Sequence, residues 1–314
     1  MNIEITEFEN VHFVGCGTSY HAALYGERLF RETAISTRAF LASEYNNSPP
    51  AISNTLIVGI TQSGETADTL NALRVARDQG AQTLALTNVV GSSAARECDH
   101  VFYIRAGPEI GVAASKTFVS QLASLNLLHQ QTAAEPDPEL KAALQKLPDL
   151  VDEALTRSSA EQIADRLVDA DAYFYIGRDL NYPIALEGAL KCKEITYKHA
   201  EGFAAGELKH GPLALVNDET PVIAIVIGDD EVAQKTIANV RETTARGAPV
   251  VAVTDGRSDI ADYADHILSI PETRPRTAAI VANVQLQLFA YYTATNLGRD
   301  VDKPRNLAKS VTVE

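Results

Sequence analysis

The chain contains an internal repeat, which constrains its fold more than any other feature of the sequence. Short motifs of the first half return at spacings of 162 to 167 residues: Phe13-Val14-Gly15 returns as Tyr175-Ile176-Gly177, and Leu84-Ala85-Leu86-Thr87 as Val251-Ala252-Val253-Thr254. In the first copy, β-branched and aromatic runs alternate with amphipathic helical patterns. The predicted strands are Val11–Gly15, Ser36–Leu41, Thr55–Ile60, Gln82–Thr87 and His100–Ile104. Because such alternation is typical of a parallel sheet covered by helices, the sequence predicts two tandem α/β units.

The expected boundaries follow from helix breakers. A long helix is predicted over Val112–Thr132, and a proline-containing stretch at 135–138 ends it. A polar helical connector is expected over about 139–169. With 314 residues, 46% of them hydrophobic, the chain can bury a core in each of two units. The expected division is a first unit over residues 1–155, a second over 156–300 and a C-terminal tail over 301–314.

Charge and cysteine content exclude several classes of function. A formal net charge of −14, with no run of lysine or arginine, argues against a nucleic acid or an anionic membrane as partner. The three cysteines, Cys16, Cys98 and Cys192, form no C-x-x-C motif, which favours neither a disulfide framework nor a thiolate metal site. We therefore expect a cytoplasmic protein. The amino-terminal residues have no secretory pattern and no apolar run approaches the ~20 residues of a membrane span, so neither secretion nor membrane insertion is expected.

The hydroxyl-rich turn Thr61–Thr69, after the third predicted strand, is a candidate anion site. Ser63 or Thr66 can cap the following helix, while the amides of its first turn and its dipole favour an anion. Gly64 permits close backbone approach, and the hydroxyls add neutral donors. A phosphate monoester fits this chemistry, although a simple helix cap would explain the same residues.

Two further turns could approach a ligand. The first is 15–19, where Gly15 and Gly17 surround Cys16 and two hydroxyls follow; it lacks the third glycine of a dinucleotide motif, and a tight strand-to-helix turn is the alternative. Cys16 has no basic neighbour, so we expect it to fill space as a small side chain or to contact a ligand through its backbone, rather than to act as a nucleophile. The second is 109–116, rich in small residues, where Ser115 and Lys116 could contact a ligand or the small residues could serve packing. In the second copy, Asp229 and Asp230 occupy the position of the phosphate-type turn and would repel an anion.

Titratable groups concentrate in the second copy and the tail. Glu187, Lys191 and Glu194 share one helical face, as either surface ion pairs or a site where Lys191 and Glu194 move a proton. His210 precedes a Gly-Pro turn, and histidine is a side chain well suited to general acid and base catalysis, although an isolated histidine is often structural. Lys309 lies in a tail whose apolar residues predict docking, and such a lysine could serve as an amine nucleophile toward a carbonyl sugar.

Together these motifs resemble the SIS (sugar isomerase) family, and within it the isomerase domains of the glucosamine-6-phosphate synthases. The resemblance spans nearly the whole chain. The motifs that carry it are GCGTSY at 15–20, QSGETADT at 62–69, ALKCKE at 189–194, GELKHGP at 206–212 and PRNLAKSVTVE at 304–314.

The resemblance implies two tandem flavodoxin-like SIS subdomains and an aminotransferase that acts on fructose 6-phosphate. It implies that Glu194 moves a proton between C1 and C2, His210 assists ring opening, Lys309 forms a Schiff base and Lys191 helps to position the sugar. A homodimer is implied as well, since the family's histidine comes from the neighbouring subunit. No metal or redox cofactor is called for. The implied sugar-phosphate contacts are Cys16, Gly17, Thr18, Ser19, Thr61, Gln62, Ser63, Thr66 and Val112.

The sequence also departs from the synthase pattern. Thr61 stands where the family usually has serine, and Ala114 stands where the synthase commonly has serine but related deaminases have alanine. The chain begins at the first predicted strand without a glutaminase domain, so we expect it to take ammonia from elsewhere. The alternatives are a free-standing phosphosugar isomerase or deaminase, and a sugar-phosphate sensor without turnover; a sensor would need neither Glu194 nor His210 nor Lys309.

Overall fold

The structure, a computed structural model, describes residues 3–50, 52–132, 136–228 and 230–310. The strands within these ranges are β1 (Asn10–Gly15), β2 (Ser36–Leu41), β3 (Thr55–Thr61), β4 (Gln82–Thr87), β5 (His100–Tyr103), β6 (Ala172–Gly177), β7 (His199–Ala204), β8 (Val222–Val226), β9 (Val250–Thr254) and β10 (His266–Ser269). The α-helices are α1 (Thr18–Phe30), α2 (Ala42–Asn47), α3 (Ala67–Asp78), α4 (Ser93–Glu97), α5 (Lys116–Gln130), α6 (Pro138–Gln145), α7 (Leu147–Thr156), α8 (Ala160–Leu167), α9 (Asn181–Thr196), α10 (Asp230–Thr244) and α11 (Pro275–Asn296). Short 3-10 helices cover Ile5–Glu7, Ala205–His210, Pro212–Leu215 and Ser258–Ile260.

The first unit contains the described residues up to Asp137 together with residues 308–310 of the tail. Its sheet has the order β2-β1-β3-β4-β5, and every pair of neighbouring strands is parallel. All seven residues of β3 are buried, as expected for a central strand covered on both faces. One cluster of its core packs Val14 and Ile57 against Leu73 and Tyr45.

The second unit, 138–307, repeats this topology. Its sheet has the order β10-β9-β8-β6-β7, again with all neighbours parallel, which is the first sheet's order read from the other edge. Its core includes Phe174, Val222, Ile237 and Val250. The predicted repeat and the flavodoxin-like α/β class are therefore confirmed in both units.

The elements differ from the sequence predictions mainly at their ends. The five predicted strands of the first copy are present within one residue at each end. The long helix, however, begins at Lys116 rather than at Val112, because the Glu109 carboxylate accepts hydrogen bonds from the amides of Ser115 and Thr117 and fixes the start there.

The first unit ends at Asp137 rather than at residue 155. Helices α6 and α7 belong to the second unit, where the Gln285 side chain on α11 donates to the carbonyl oxygen of Ala154 at 3.0 Å. The tail is described only to Ser310, so residues 311–314 lie outside the described chain. Among the described helices, none combines the length and the apolar character that crossing a membrane requires.

Candidate functional site

The first unit's candidate site lies at the carboxyl ends of β1 and β3. These strands are neighbours, and the direction of chain winding reverses between them. Open α/β sheets bind ligands beyond the carboxyl ends of the strands at such a reversal. The structure therefore brings together the two predicted turns, 16–19 after β1 and 61–66 after β3.

The turn after β1 is tight and leads directly into α1. A Cβ atom at Gly15 would lie 2.8 Å from backbone atoms of Ser19, so only glycine fits. Gly17, at φ +51°, occupies the N-cap position of α1 without a side-chain cap, and its carbonyl oxygen accepts from the amide of Tyr20 at 2.9 Å. Thr18 begins the helix and is partly exposed, while Ser19 is buried and accepts a hydrogen bond from the Gln121 side chain at 3.1 Å.

Cys16 lies in this turn as a thiol. Its sulfur is partly buried, 3.8 Å from the hydroxyl of Thr69, and burial raises its pKa. A raised pKa disfavours the thiolate, which agrees with the expectation that Cys16 is not a nucleophile.

The turn after β3 is built around Gly64. Its φ is +71°, and a Cβ atom there would lie 2.1 Å from the Ser92 hydroxyl, so both conformation and space require glycine. The Gly64 amide donates to the hydroxyl of Thr61 at 3.1 Å, and Ser63 accepts from the amide of Glu65 at 3.1 Å.

Neither hydroxyl predicted to cap α3 does so. Thr66 occupies the N-cap position, but within the described ranges no side chain caps this helix. The first-turn amides therefore keep their donor capacity, and Gln62, Ser63 and Thr66 are all partly exposed beside them. The turn combines a helix N-terminus with neutral donors, which suits an oxyanion.

The side chain of Lys309 packs against the chain segment 109–115, which precedes α5. Its ammonium donates to Glu109 Oε2 at 2.7 Å and to the carbonyl oxygen of Gly111 at 2.7 Å. The next residue after Gly111 is Val112, a predicted sugar contact that is partly exposed. The ammonium of the tail lysine thus contacts the same chain segment that carries Val112.

In the second unit, α9 carries a cluster of charged side chains that is largely buried. The side chains of Glu187 and Lys191 are 0% and 4% exposed, and Lys191 Nζ lies 3.5 Å from Glu187 Oε1. Lys191 also pairs with Glu194, whose side chain is 21% exposed. The explanation as surface ion pairs is wrong for Glu187 and Lys191, because α9 is covered by α11 and by the strands β6 and β7, which bury both side chains.

Two carboxylates keep Lys191 charged. Burial lowers the pKa of Lys191, but the negative charges and hydrogen bonds of Glu187 and Glu194 outweigh it, so the pKa is raised overall. The Lys191 ammonium is therefore a permanent donor to the partly exposed Glu194 carboxylate.

His210 lies away from this cluster within its own unit. Glu194 is near the end of α9, two residues before its last residue and just ahead of the start of β7, whereas His210 ends the 3-10 helix that follows β7. A six-residue strand spans about 20 Å, so the topology places the two side chains toward opposite ends of β7. His210 is exposed.

In the second unit, the strands that correspond to β1 and β3 are β6 and β8, and side chains of the unit itself make hydrogen bonds at their carboxyl ends. Asn181 Nδ2 donates to the carbonyl oxygen of Ile227, just after β8, at 3.0 Å, and Arg178 donates to Asn239 at 2.8 Å. The expected repulsion by Asp229 and Asp230 concerns side chains outside the described part of the structure. Within the described ranges, no three His, Cys, Asp or Glu side chains are grouped closely enough to hold a metal ion.

The sequence predictions did not point to Glu109, nor to the buried hydroxyls of Thr87 and Ser92. These two hydroxyls lie next to Gly64, and neither has a hydrogen-bond partner within the described chain. A signal existed for Ser92, since it lies in a Gly-Ser-Ser turn after a strand. Glu109 gave no local signal, because its partner Lys309 is 200 residues away.

Comparison with known proteins identifies the family. The SIS domain model matches residues 4–130 and 166–297, one match in each unit. Curated relatives include the glutamine–fructose-6-phosphate aminotransferases (isomerizing) of Halobacterium salinarum, 48% identical over 100% of this chain, and of Aquifex aeolicus, 44% identical over 99%. The chain spans about half the length of these relatives, 54% and 53% respectively.

Solved structures give the same result. The C-terminal domain of glucosamine-fructose-6-phosphate aminotransferase from Francisella tularensis is 35% identical, with a TM-score of 0.89 over 95% of this chain and 87% of that one. Glucosamine-6-phosphate deaminase from Thermotoga maritima is 25% identical, with a TM-score of 0.82 over 99% and 93%. The resemblance expected from the motifs is confirmed, and the chain belongs to the SIS domain family.

Proposed function

We propose that the chain converts fructose 6-phosphate and ammonia to glucosamine 6-phosphate and water, as the isomerase part of a glutamine–fructose-6-phosphate aminotransferase. The observation that carries the proposal is the meeting of two helix N-termini, those of α1 and α3, at the neighbouring carboxyl ends of β1 and β3, among partly exposed hydroxyl-bearing turns. The names of relatives at 48% identity support the choice of substrate.

The phosphate group is assigned to the first unit. Backbone amides at the starts of α1 and α3 would donate to its oxygens, with hydroxyls completing the shell. Neutral donors and helix dipoles can bind an anion without direct contact from a cationic side chain. The residues assigned to sugar phosphate are Cys16, Gly17, Thr18, Ser19, Thr61, Gln62, Ser63, Thr66 and Val112.

Lys309 is assigned the covalent step. After ring opening, its neutral amine adds to the C2 carbonyl of the sugar, and water leaves to give the Schiff base. Ammonia then adds to C2 and displaces the lysine amine, so that the nitrogen remains on the sugar and Lys309 is regenerated.

Glu194 is assigned the proton transfer that turns the ketose imine into the aldose. Its carboxylate removes a proton from C1 and returns it to C2, the step that places the carbonyl at C1. The hydrogen bond from Lys191 orients that carboxylate, and Lys191 would also help to position the sugar. Without ammonia, the same transfer would isomerise fructose 6-phosphate to glucose 6-phosphate.

His210 is assigned the opening of the sugar ring. Its position beyond the opposite end of β7 from Glu194 supports a homodimer in which each histidine serves the partner's site. A cytoplasmic location and an ammonia source outside this chain, such as a glutaminase, complete the proposal.

The test is a pair of assays on the purified chain. Fructose 6-phosphate with an ammonium salt should yield glucosamine 6-phosphate, and fructose 6-phosphate alone should yield glucose 6-phosphate. Activity in the second assay only would leave a sugar isomerase, and binding without turnover in either assay would leave a sensor.

A deaminase is the second candidate, favoured by Ala114 and by the Thermotoga maritima structure, which covers 99% of this chain. It would run the reaction in reverse, from glucosamine 6-phosphate and water to fructose 6-phosphate and ammonia. Turnover is measured in both directions, from fructose 6-phosphate with ammonium and from glucosamine 6-phosphate with ammonia release as the readout. The faster direction separates a deaminase from a synthase.

A further inference from the structure

We propose that Glu109 is a positioning residue that holds the Lys309 amine in place beside the Gly111–Val112 segment. This inference rests on the proposed function, since it concerns the amine assigned to the Schiff base. It adds a residue that the sequence motifs did not single out for this role.

The Glu109 carboxylate is itself held on several sides. Its side chain is 4% exposed, and Oε1 accepts from the amides of Ser115 at 2.9 Å and Thr117 at 3.2 Å. Oε2 accepts from the Thr117 hydroxyl at 2.7 Å and from Lys309 Nζ at 2.7 Å. Three of these four bonds come from the start of α5, so the helix fixes the position of the carboxylate. The carboxylate in turn determines where the Lys309 ammonium is held.

The described residues 308–310 are bonded to the first unit through this amine. In the described chain, both hydrogen bonds from residues 308–310 to the rest of the first unit start at the Lys309 amine, one to Glu109 and one to the Gly111 carbonyl oxygen. Without the carboxylate, a single neutral acceptor would hold an amine on a long, flexible side chain. A reacting group displaced by about 1 Å can lose about a hundredfold in rate.

Glu109 serves as an anchor rather than as a base. Burial raises its pKa, but the hydrogen bonds from Lys309, Ser115 and Thr117 outweigh this effect, and the pKa is lowered overall. A carboxylate that stays ionised at neutral pH keeps its hold on the ammonium between turnovers. The amine must leave this contact and lose a proton before it attacks the carbonyl.

The experiment traps the Schiff base with borohydride in the presence of fructose 6-phosphate and measures the sugar adduct on Lys309 by peptide mass. Glu109→Gln retains an oxygen that can accept from α5 and removes the charge that holds the lysine. We expect trapping and kcat to fall at least about tenfold while KM for fructose 6-phosphate changes less than about twofold. Glu109→Asp keeps the charge on a shorter side chain and should fall between Gln and wild type.

The matched control is Glu97→Gln, which removes another carboxylate of the first unit, paired with Arg74 at 2.7 Å on the surface, and should trap as fast as wild type. Melting curves report the helix-capping role separately. If Glu109→Gln has a low melting temperature, Glu109→Asp still separates the two roles. If Glu109 only caps α5, both variants should melt at lower temperatures than wild type but trap sugar on Lys309 as fast as wild type.

The outcomes separate the two proposals. A wild-type chain that traps no sugar on Lys309 would overturn the Schiff-base assignment and this inference together. If wild type traps sugar and Glu109→Gln traps it equally fast or faster, only the positioning role of Glu109 is overturned.

Discussion

The two units share one topology and differ in what occupies the point where each sheet reverses its winding. In the first unit, the helices that follow β1 and β3 begin beside the partly exposed hydroxyls of Thr18, Ser63 and Thr66. In the second, Asn181 bonds the carbonyl oxygen of Ile227 and Arg178 bonds Asn239, so side chains of the unit itself use that space. The two copies thus share one scaffold, but described side chains of the second copy bond to each other and to the backbone where the first copy presents its hydroxyl-bearing turns.

The cores of the two units also differ in where they place charge. The second unit buries Glu187 and Lys191 on α9. The first unit instead buries His12 on β1, at the position where the second unit has Phe174 on β6. Both rings make the same edge-on contact, His12 with Phe40 at 5.0 Å and Phe174 with Phe203 at 5.3 Å between centroids. The second unit therefore buries a charged pair on α9, whereas at the His12 position the first unit buries a ring that is neutral at pH 7, because burial lowers its pKa to about 4.

The largest effect should come from removing the second unit's proposed base. Glu194→Gln keeps the hydrogen bond to Lys191 but cannot take a proton, so kcat should fall by roughly 10²- to 10⁴-fold in both assays. Binding of a hexitol 6-phosphate, measured by calorimetry, should stay within about twofold, because the proposal assigns the phosphate to the first unit.

The control for this variant is Glu201→Gln, an exposed carboxylate next to His199 in the same unit. A variant at Glu194 with full turnover would contradict the assignment of proton transfer, and with it the proposed division of roles between the units.

Lys191→Met should have the next largest effect, on stability. It removes the ammonium that lies 3.5 Å from the fully buried Glu187 carboxylate, which should lower the free energy of unfolding by about 3–5 kcal/mol. Adding Glu187→Gln should restore part of that loss, since the buried negative charge is then removed as well. Lys193→Met, at an exposed position on the same helix, is the control, and urea titrations measure all four proteins. Equal stabilities for Lys191→Met and Lys193→Met would show that the buried pair is dispensable.

A third test exchanges glycine for alanine at matching turns of the two units. Gly64→Ala forces a Cβ atom to 2.1 Å from the Ser92 hydroxyl at a positive φ, and should lower stability by about 2–4 kcal/mol and weaken hexitol 6-phosphate binding. Gly228→Ala, just after β8, meets no described atom within 4 Å, so only its φ of +101° opposes it, at about 1–2 kcal/mol. Unchanged phosphate affinity in Gly64→Ala would remove this turn from the binding site.

Local patterns predicted the parts of this molecule that depend on local physics. The strands of the first copy followed from β-branched runs between helical patterns, and the two glycine- and hydroxyl-containing turns at their carboxyl ends followed from residue spacing; that these turns bind a ligand stays a prediction. The start of α5 was placed four residues early, because the cap comes from Glu109, outside the helical pattern. The contact of Lys309 with Glu109 joins residues 200 positions apart, and only the tertiary fold decides that Lys191 is buried.

At neutral pH, the smallest expected effect concerns the buried histidine that distinguishes β1 from β6. Burial, with a contribution from Arg38, lowers the pKa of His12 from 6.5 to about 4, so the folded chain binds this proton less readily than the unfolded chain does. Stability that is present above pH 6.5 should therefore decline as the pH falls from 6.5 to 4, by at most about 1.4 kcal/mol per pH unit.

His12→Phe gives the first unit the residue that the second unit already has, and it should flatten this pH dependence. Hydrogen exchange at pH 7 and pH 5 measures it locally. Peptides of β1 should lose protection at pH 5 in wild type but not in His12→Phe, while peptides of β6 serve as the internal control. The same loss of β1 protection in His12→Phe would assign the acid sensitivity to other groups, because a phenylalanine has no proton to gain.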